Sequence, residues 1–308
     1  MKNRILIPVD TSDHSFKSIQ YVAKVFSPDH TEIVLYHVYS QLEDFFSSLD
    51  ISPDPTKYEM TDLLKSHQKL IDTFMQKARK LLQESGFLES DITIKMKLQS
   101  LPGIALEILQ ESKNSYHAIV IGRTGISQLN EYMGNTASSL ANSVHNIPLI
   151  VVDAVPETNN FLVAYDGSES ADRAVQCVSG LLEDTTYNVL LYHVIKALRY
   201  SLIGIIQILP SQKFEKQYYE KLRGDIQDKL NTISDKLISK GIGKGQLSRA
   251  IDVGMKSRAQ AILDKSRKDD YRTIVVGRRG HRLKDIDMGT VGRKVVNLAV
   301  DRTIWIVN

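Results

Sequence analysis

A chain of 308 residues has room for two domains of ordinary size, each burying its own core. Its 42% hydrophobic and 24% charged residues are a globular composition, and 39 basic against 36 acidic residues, for a net charge of +3, are too balanced to mark a nucleic-acid surface. One cysteine, Cys177, excludes an internal disulfide, and no Cys/His cluster has zinc spacing.

The opening apolar run, Ile5 to Val9, ends at Asp10 and is far too short for a signal peptide. The longest later run, Leu202 to Leu209, is too short to span a bilayer, so the expectation is a cytoplasmic protein with no membrane partner. Residues 4–9 read as a buried strand. Asp10, Thr11, Ser12 and Asp13 then supply turn and N-cap chemistry for a helix carrying Phe16, Ile19, Ala23 and Phe26 on one face. A second strand over 32–38 leads into a connection with Phe45, Phe46, Leu49, Ile51, Pro53 and Pro55, expected to be irregular. A long amphipathic helix over 58–84 follows, with Leu63, Leu70, Phe74, Ala78 and Leu81 near a 3.6-residue period and Gly86 as its stop. A third strand spans 92–96, and Pro102-Gly103 opens a short helix with Ile104, Leu106, Ile108 and Leu109.

The fourth strand, 117–121, ends in Gly122-Arg123-Thr124-Gly125. Eight residues later comes Gly134-Asn135-Thr136 at the head of a helix with Ala137, Leu140, Ala141 and Val144, and residues 148–152 make a fifth strand. The same text recurs near the C-terminus. A strand ending Thr273-Ile274-Val275-Val276 delivers Gly277-Arg278-Arg279-Gly280, then eight residues, then Gly289-Thr290 before a helix with Val291, Val295, Leu298 and Ala299. Glycine permits close backbone approach, and a helix start points free N–H groups outward, so both stretches read as phosphate cradles, with Arg278, Arg279 and Arg282 adding positive charge to the second.

The whole chain is in fact a repeat. Asp166 falls 156 positions after Asp10, Tyr192-His193-Val194 repeats Tyr36-His37-Val38 at the same offset, and the three motif glycines recur at an offset of 155. The second half has its own long helix, roughly 214–240, with Leu222, Ile226, Leu230, Ile233 and Leu237 on one side, and residues 153–160 are the natural linker. Strands alternating with helices mean parallel βαβ units, with ligands at the carboxyl ends of the strands, near the point where strand order reverses. The Asp loop after the first strand and the glycine loop after the fourth both lie there and can converge on one ligand.

These features resemble the universal stress protein (UspA-domain) family in its tandem, UspE-like form. The resemblance covers nearly the whole chain and rests on the opening strand with Asp10 or Asp166, on Tyr-His-Val after the second strand, and on the glycine loop. It implies two doubly wound, Rossmann-like α/β domains, 1–154 and 155–308, packed as an intramolecular pseudo-dimer through residues 149–152 and 303–307, with a homodimer of chains left open. It also implies a stress-response protein binding ATP or AMP, with Mg as a possible companion. By position, the second site would use Asp166 on the ribose, Val194 by adenine, and Gly277, Gly280, Gly289 and Thr290 on phosphates, joined by Arg278 and Val291. The first would use Asp10, Val38, Gly122, Gly125 and Gly134 less strongly, because Asn135 replaces the Ser/Thr. Both spacers are one residue shorter than the family's.

Turn and capping roles alone would also account for Asp10 and Asp166. His37 and His193 read as structural, and His14 and His281 lie in loops beside the sites. A dinucleotide fingerprint fails because Asp10-Thr11-Ser12 stands where its glycines should be, and no Gly-Lys-Ser/Thr supports a P-loop. Nothing pairs a base with a nucleophile, so binding ranks above slow ATP hydrolysis. The apolar segments after each second strand offer a third reading, a nucleotide-free scaffold that docks a protein or a hydrophobic ligand.

Overall fold

The computed structural model describes residues 2–39, 57–125, 133–182, 186–198, 211–278 and 288–308. The chain divides into two compact units, Met1–Val155 and Pro156–Asn308. In the first, strands β1 (Asn3–Pro8), β2 (Thr31–Tyr39), β3 (Ile92–Leu98), β4 (Ala118–Gly122) and β5 (Leu149–Val152) alternate with helices α1 (Asp13–Val25), α2 (Lys57–Glu84), α3 (Ile104–Glu111) and α4 (Asn135–Ser143). All neighbouring strands are parallel, in the order β3-β2-β1-β4-β5. The second unit repeats this plan with β6 (Asn160–Ala164), α5 (Glu169–Leu181), β7 (Asn188–Lys196), α6 (Gln212–Ser239), β8 (Leu247–Met255), α7 (Arg258–Lys268), β9 (Thr273–Gly277), α8 (Thr290–Leu298) and β10 (Thr303–Val307). Its order is β8-β7-β6-β9-β10, again parallel throughout.

Central strands of such a sheet are covered on both faces and so carry unbroken apolar runs. Ile5, Leu6 and Ile7 of β1, Ala118 to Val120 of β4, and Phe161 to Val163 of β6 are wholly buried. In each unit the chain walks outward from the first strand to the third, then returns to the other side of the first to lay down the fourth. That reversal, between β1 and β4 and between β6 and β9, opens a crevice at the carboxyl ends of the strands.

What holds the crevice together is one close approach. A Cβ on Gly122, at the end of β4, would stand 2.7 Å from the carbonyl oxygen of His14 in the first turn of α1. On Gly277, at the end of β9, it would stand 2.9 Å from the carbonyl carbon of Ser170 in the first turn of α5. Backbone atoms cannot swing aside, so only glycine lets the helix start press onto the strand end. On α1, Ser15, Ser18, Ile19, Tyr21, Val22 and Val25 are buried; of the expected row, Ile19 and Phe26 are buried, while Phe16 and Ala23 are half-buried. Phe16 moves to the helix edge and packs edge-on against Phe74, with centroids 5.8 Å apart.

The long helix corrects a second expectation. Its buried row is Ile71, Met75, Ala78 and Leu82, while Leu70 is 55% exposed. Adjacent apolar pairs at 70/71, 74/75 and 81/82 satisfy the helical period in two registers; the one with Ile71, Met75 and Leu82 is buried, and Phe74 sits at its edge against Phe16. Leu63 lies outside the residues whose side chains are described. On α8 the buried positions are Gly292, Val295 and Val296, and Leu298 faces solvent. Among the described residues, no helix is long and apolar enough to cross a membrane. The apolar segments at 45–51 and 202–209 lie outside the described residues.

The close approach makes a test. Gly122→Ala or Gly277→Ala forces a methyl against backbone and should cost about 1–3 kcal/mol as overpacking. Denaturant unfolding of the full chain would show it as a lowered midpoint; an unchanged midpoint would mean that the helix start yields freely.

Candidate functional site

Each crevice begins with an aspartate at the end of the first strand. Asp10 Oδ1 accepts hydrogen bonds from Ser12 N at 3.1 Å and Ser12 Oγ at 2.5 Å. Asp166 Oδ1 does the same with Ser168, at 3.0 Å and 2.5 Å. The serines are the N-caps: Ser12 Oγ accepts from Ser15 N at 3.1 Å and Ser168 Oγ from Ala171 N at 3.3 Å. The aspartates therefore buttress the cap rather than forming it, and one carboxylate oxygen of each is committed to the turn. The turns differ in one residue. Gly167, at φ 74°, has Lys229 Nζ donating to its carbonyl at 3.2 Å, whereas Thr11 takes φ 65° in the first unit. A β-branched residue in this left-handed region is strained by about 1–3 kcal/mol.

The glycine loops are pinned at both ends by the residue after the strand. Arg123 N donates to Val152 O at 2.8 Å, and Gly134 N donates back to Arg123 O at 2.8 Å. Arg278 repeats the clamp with Val307 O at 2.6 Å and Gly289 N at 2.8 Å. Gly134 and Gly289 are the N-caps of α4 and α8, and neither helix start has a side-chain cap hydrogen bond. Asn135 and Thr290 thus occupy the same first helical position, with no shift that would bring Thr136 into Thr290's place.

The charge expected of Arg278 has a counterpart in the first unit. Arg278 is only 1% exposed and Arg123 3%, so they are matched buried residues at the two strand ends. What differs is their surroundings. Arg123 Nε lies 4.0 Å from Asp153 Oδ2, while Asn308 stands at the position matching Asp153. Gly280, Arg279, Arg282 and His281 lie outside the described residues.

The second unit encloses a cavity of about 580 Å³, lined by Asp166, Val194, Gly277, Arg278, Gly289, Thr290 and Val291 among others. The first encloses one of about 530 Å³ that brings together Asp10, Val38, Gly122, Gly125 and Gly134. Both fall within the usual range for small-molecule sites, about 300–1,000 Å³. One residue of the second wall escaped the sequence reading. Arg258, the first residue of α7, lines it together with Ile262, and its Nε donates to Val194 O at 3.3 Å. In the first unit Ile104 and Ile108 of α3 take those places. The signal was available only by aligning the starts of two short helices, which lack a shared motif. Among the described residues, no group of three or more His, Cys, Asp or Glu is placed to hold a metal ion. Cys177 is no nucleophile, since burial pushes its thiol up to about 12.

With this geometry in view, the sequence model of the Universal stress protein family matches the chain twice, over residues 1–153 and 157–300. The chain belongs to the universal stress protein family. Among solved structures it is similar to a universal stress protein from Archaeoglobus fulgidus DSM 4304, at 18% identity over 99% of this chain and 98% of that one, with a TM-score of 0.64. A functionally unknown protein from Pseudomonas aeruginosa PAO1 matches at 13% identity and TM-score 0.56, covering 99% of this chain and 92% of its own. A putative universal stress protein from Pseudomonas aeruginosa UCBPP-PA14 matches at 14% and 0.52 with the same coverage. These likenesses show the fold. None of the curated proteins matches the chain.

In both units of this universal stress protein, the Tyr-His-Val histidine is tied to the strand beside it. His37 Nδ1 lies 2.8 Å from Val9 O and His193 Nδ1 lies 2.7 Å from Tyr165 O. A carbonyl can only accept, so Nδ1 carries the proton. Burial pushes both imidazoles below their ordinary range, against the smaller opposing effect of those backbone bonds. Folded, each histidine binds fewer protons than it does unfolded. The stability this carries is fully present above the unfolded value of about 6.5 and is lost as pH falls from there through the folded values. Thermal melts of the full chain should therefore lose stability between about pH 7 and about pH 5, and replacing both histidines by glutamine should flatten that slope. An equal slope in the double variant would assign the acid sensitivity elsewhere.

Proposed function

We propose that the second unit binds an adenine nucleotide, ATP or AMP, and that the protein works as a nucleotide-dependent binding module in a stress response. One observation carries this reading: the second cavity gathers Asp166, Val194 and the capless start of α8 at Gly289-Thr290 around a single space of about 580 Å³. Helix-start N–H groups and the helix dipole favour an anion there. Arg258 and Arg278 add positive charge against one carboxylate, and Val194 and Ile262 supply apolar wall for a flat base.

In this reading Asp166 holds the ribose through the carboxylate edge not used by Ser168. Thr290 adds a hydroxyl at the phosphate end, where the first unit has Asn135. Gly277 serves the site indirectly, since its lack of a side chain is what seats α5 against β9. Binding ranks above turnover because Asp166 is the one carboxylate among the described lining residues and already accepts two hydrogen bonds from Ser168.

Calorimetry of the full chain with ATP and AMP tests the assignment. Asp166→Asn keeps an acceptor for Ser168 but removes the charge that a ribose hydroxyl would meet. Affinity should fall about ten- to hundredfold, matching about 1.5–3 kcal/mol for a charge-assisted hydrogen bond. Arg258→Ala should weaken ATP more than adenosine. Unaltered ATP affinity in both variants would sink the assignment, and steady phosphate release from ATP would instead favour the hydrolase reading.

A further inference from the structure

The two cavities share a frame but not a charge pattern, and the difference is sharpest where the first glycine loop meets Asp10. A Cβ built on Gly125 would stand 2.6 Å from Asp10 Oδ2. The opening that glycine leaves in this loop, the space through which an anion would reach the backbone, is therefore already faced by a carboxylate oxygen. A phosphate brought to Gly125 would meet a like charge at contact range in a partly desolvated crevice, where repulsion is only weakly screened.

Among the described lining residues, Arg123 is the one positive charge set against it. Arg123 is buried at the strand end, and its guanidinium is engaged with Asp153 at 4.0 Å. Burial also pulls Arg123 below the ordinary arginine range, against the opposing pull of Asp153. Where the second wall has Arg258, the first has Ile104, and Ile104, Ile108 and Val38 make that wall apolar. Among the described lining residues, the charged groups are Asp10 and Arg123 in the first cavity, against Asp166, Arg258 and Arg278 in the second. The described lining thus balances one carboxylate against one guanidinium in the first cavity and carries an excess of one positive charge in the second.

We infer that the first cavity binds an uncharged, hydroxyl-bearing ligand of nucleoside size and rejects its phosphorylated forms. The apolar wall takes a flat ring, and Asp10 Oδ2, facing the opening at Gly125, accepts from a ligand hydroxyl. The volume of about 530 Å³ admits a molecule of that size. The inference rests on the proposed function only for its contrast with the second cavity, and it gives one chain two sites that report on different molecules.

The experiment is calorimetry on the full chain with the second cavity first saturated by ATP. Adenosine should then bind with one further equivalent per chain, and AMP at least about tenfold more weakly. Asp10→Asn preserves size and the acceptor that Ser12 needs while removing the repelling charge, so it should raise AMP affinity and close or reverse the gap. A gain of binding cannot come from misfolding. AMP binding as tightly as adenosine in the parent chain, an adenosine-to-AMP ratio unmoved by Asp10→Asn, or no adenosine binding at all would each overturn the inference. If ATP gives no heat in the first step, the reading of the second cavity fails, and the adenosine-to-AMP comparison still decides the first.

Discussion

The site depends on the contact between a strand-end glycine and the first turn of a helix. Gly122 against His14, and Gly277 against Ser170, bring two backbones closer than any side chain would allow. The helix seated this way starts at the serine cap that Asp10 or Asp166 buttresses, and the strand that ends there runs directly into the glycine loop. One packing constraint therefore places the aspartate and the loop on the same crevice, before any ligand is considered. The first motif glycine serves packing, while the third caps the next helix and closes the loop through its hydrogen bond to the arginine carbonyl.

On this shared frame the two units have diverged in charge. A repeat that keeps its backbone contacts can exchange wall residues at little cost to folding, because exposed positions such as Ile104 and Arg258 bear little of the core. The same exchanges change the charge that a ligand in the crevice would meet. Ile104 in place of Arg258 removes a positive charge from the first wall, and Asp153 in place of Asn308 sets a carboxylate 4.0 Å from Arg123. Both exchanges lower the positive charge around the first cavity, while its volume is kept.

Much of this was legible in the sequence. The strands, the repeat and the pairing of an Asp turn with a glycine loop follow from apolar runs, offsets and turn residues, all local signals. The long helix was legible as a helix but not as a face, because three adjacent apolar pairs satisfied the period twice, and only packing against the rest of the unit decides between them. Arg278 read as a charge in the phosphate cradle, and its burial together with Arg123 at the strand-end clamp gave no signal in the sequence. Glu107 and Glu111 gave no signal at all. Glu107 Oε1 gathers the backbone N–H groups of Ser100 and Leu101, bonds that hold its carboxyl below the usual range, and Glu111 pairs with Lys95 at 2.6 Å. Such acceptor roles arise only once the turn before α3 has folded over them.

The shortened glycine spacer takes on a different meaning against this background. Read along the chain, a missing residue argues against a phosphate cradle in both halves equally. In three dimensions, the loop's ends are fixed by the clamp from Arg123 to Gly134 and from Arg278 to Gly289, and these distances match at 2.8 Å. Spacer length is also identical in the two units, so it cannot set them apart. The units differ instead in groups that other elements bring to the crevice: Asp10 Oδ2 stands against Gly125 in the first, and Arg258 lines the second cavity together with Thr290. The difference between the two cavities is thus written less in the glycine motif than in the walls around it.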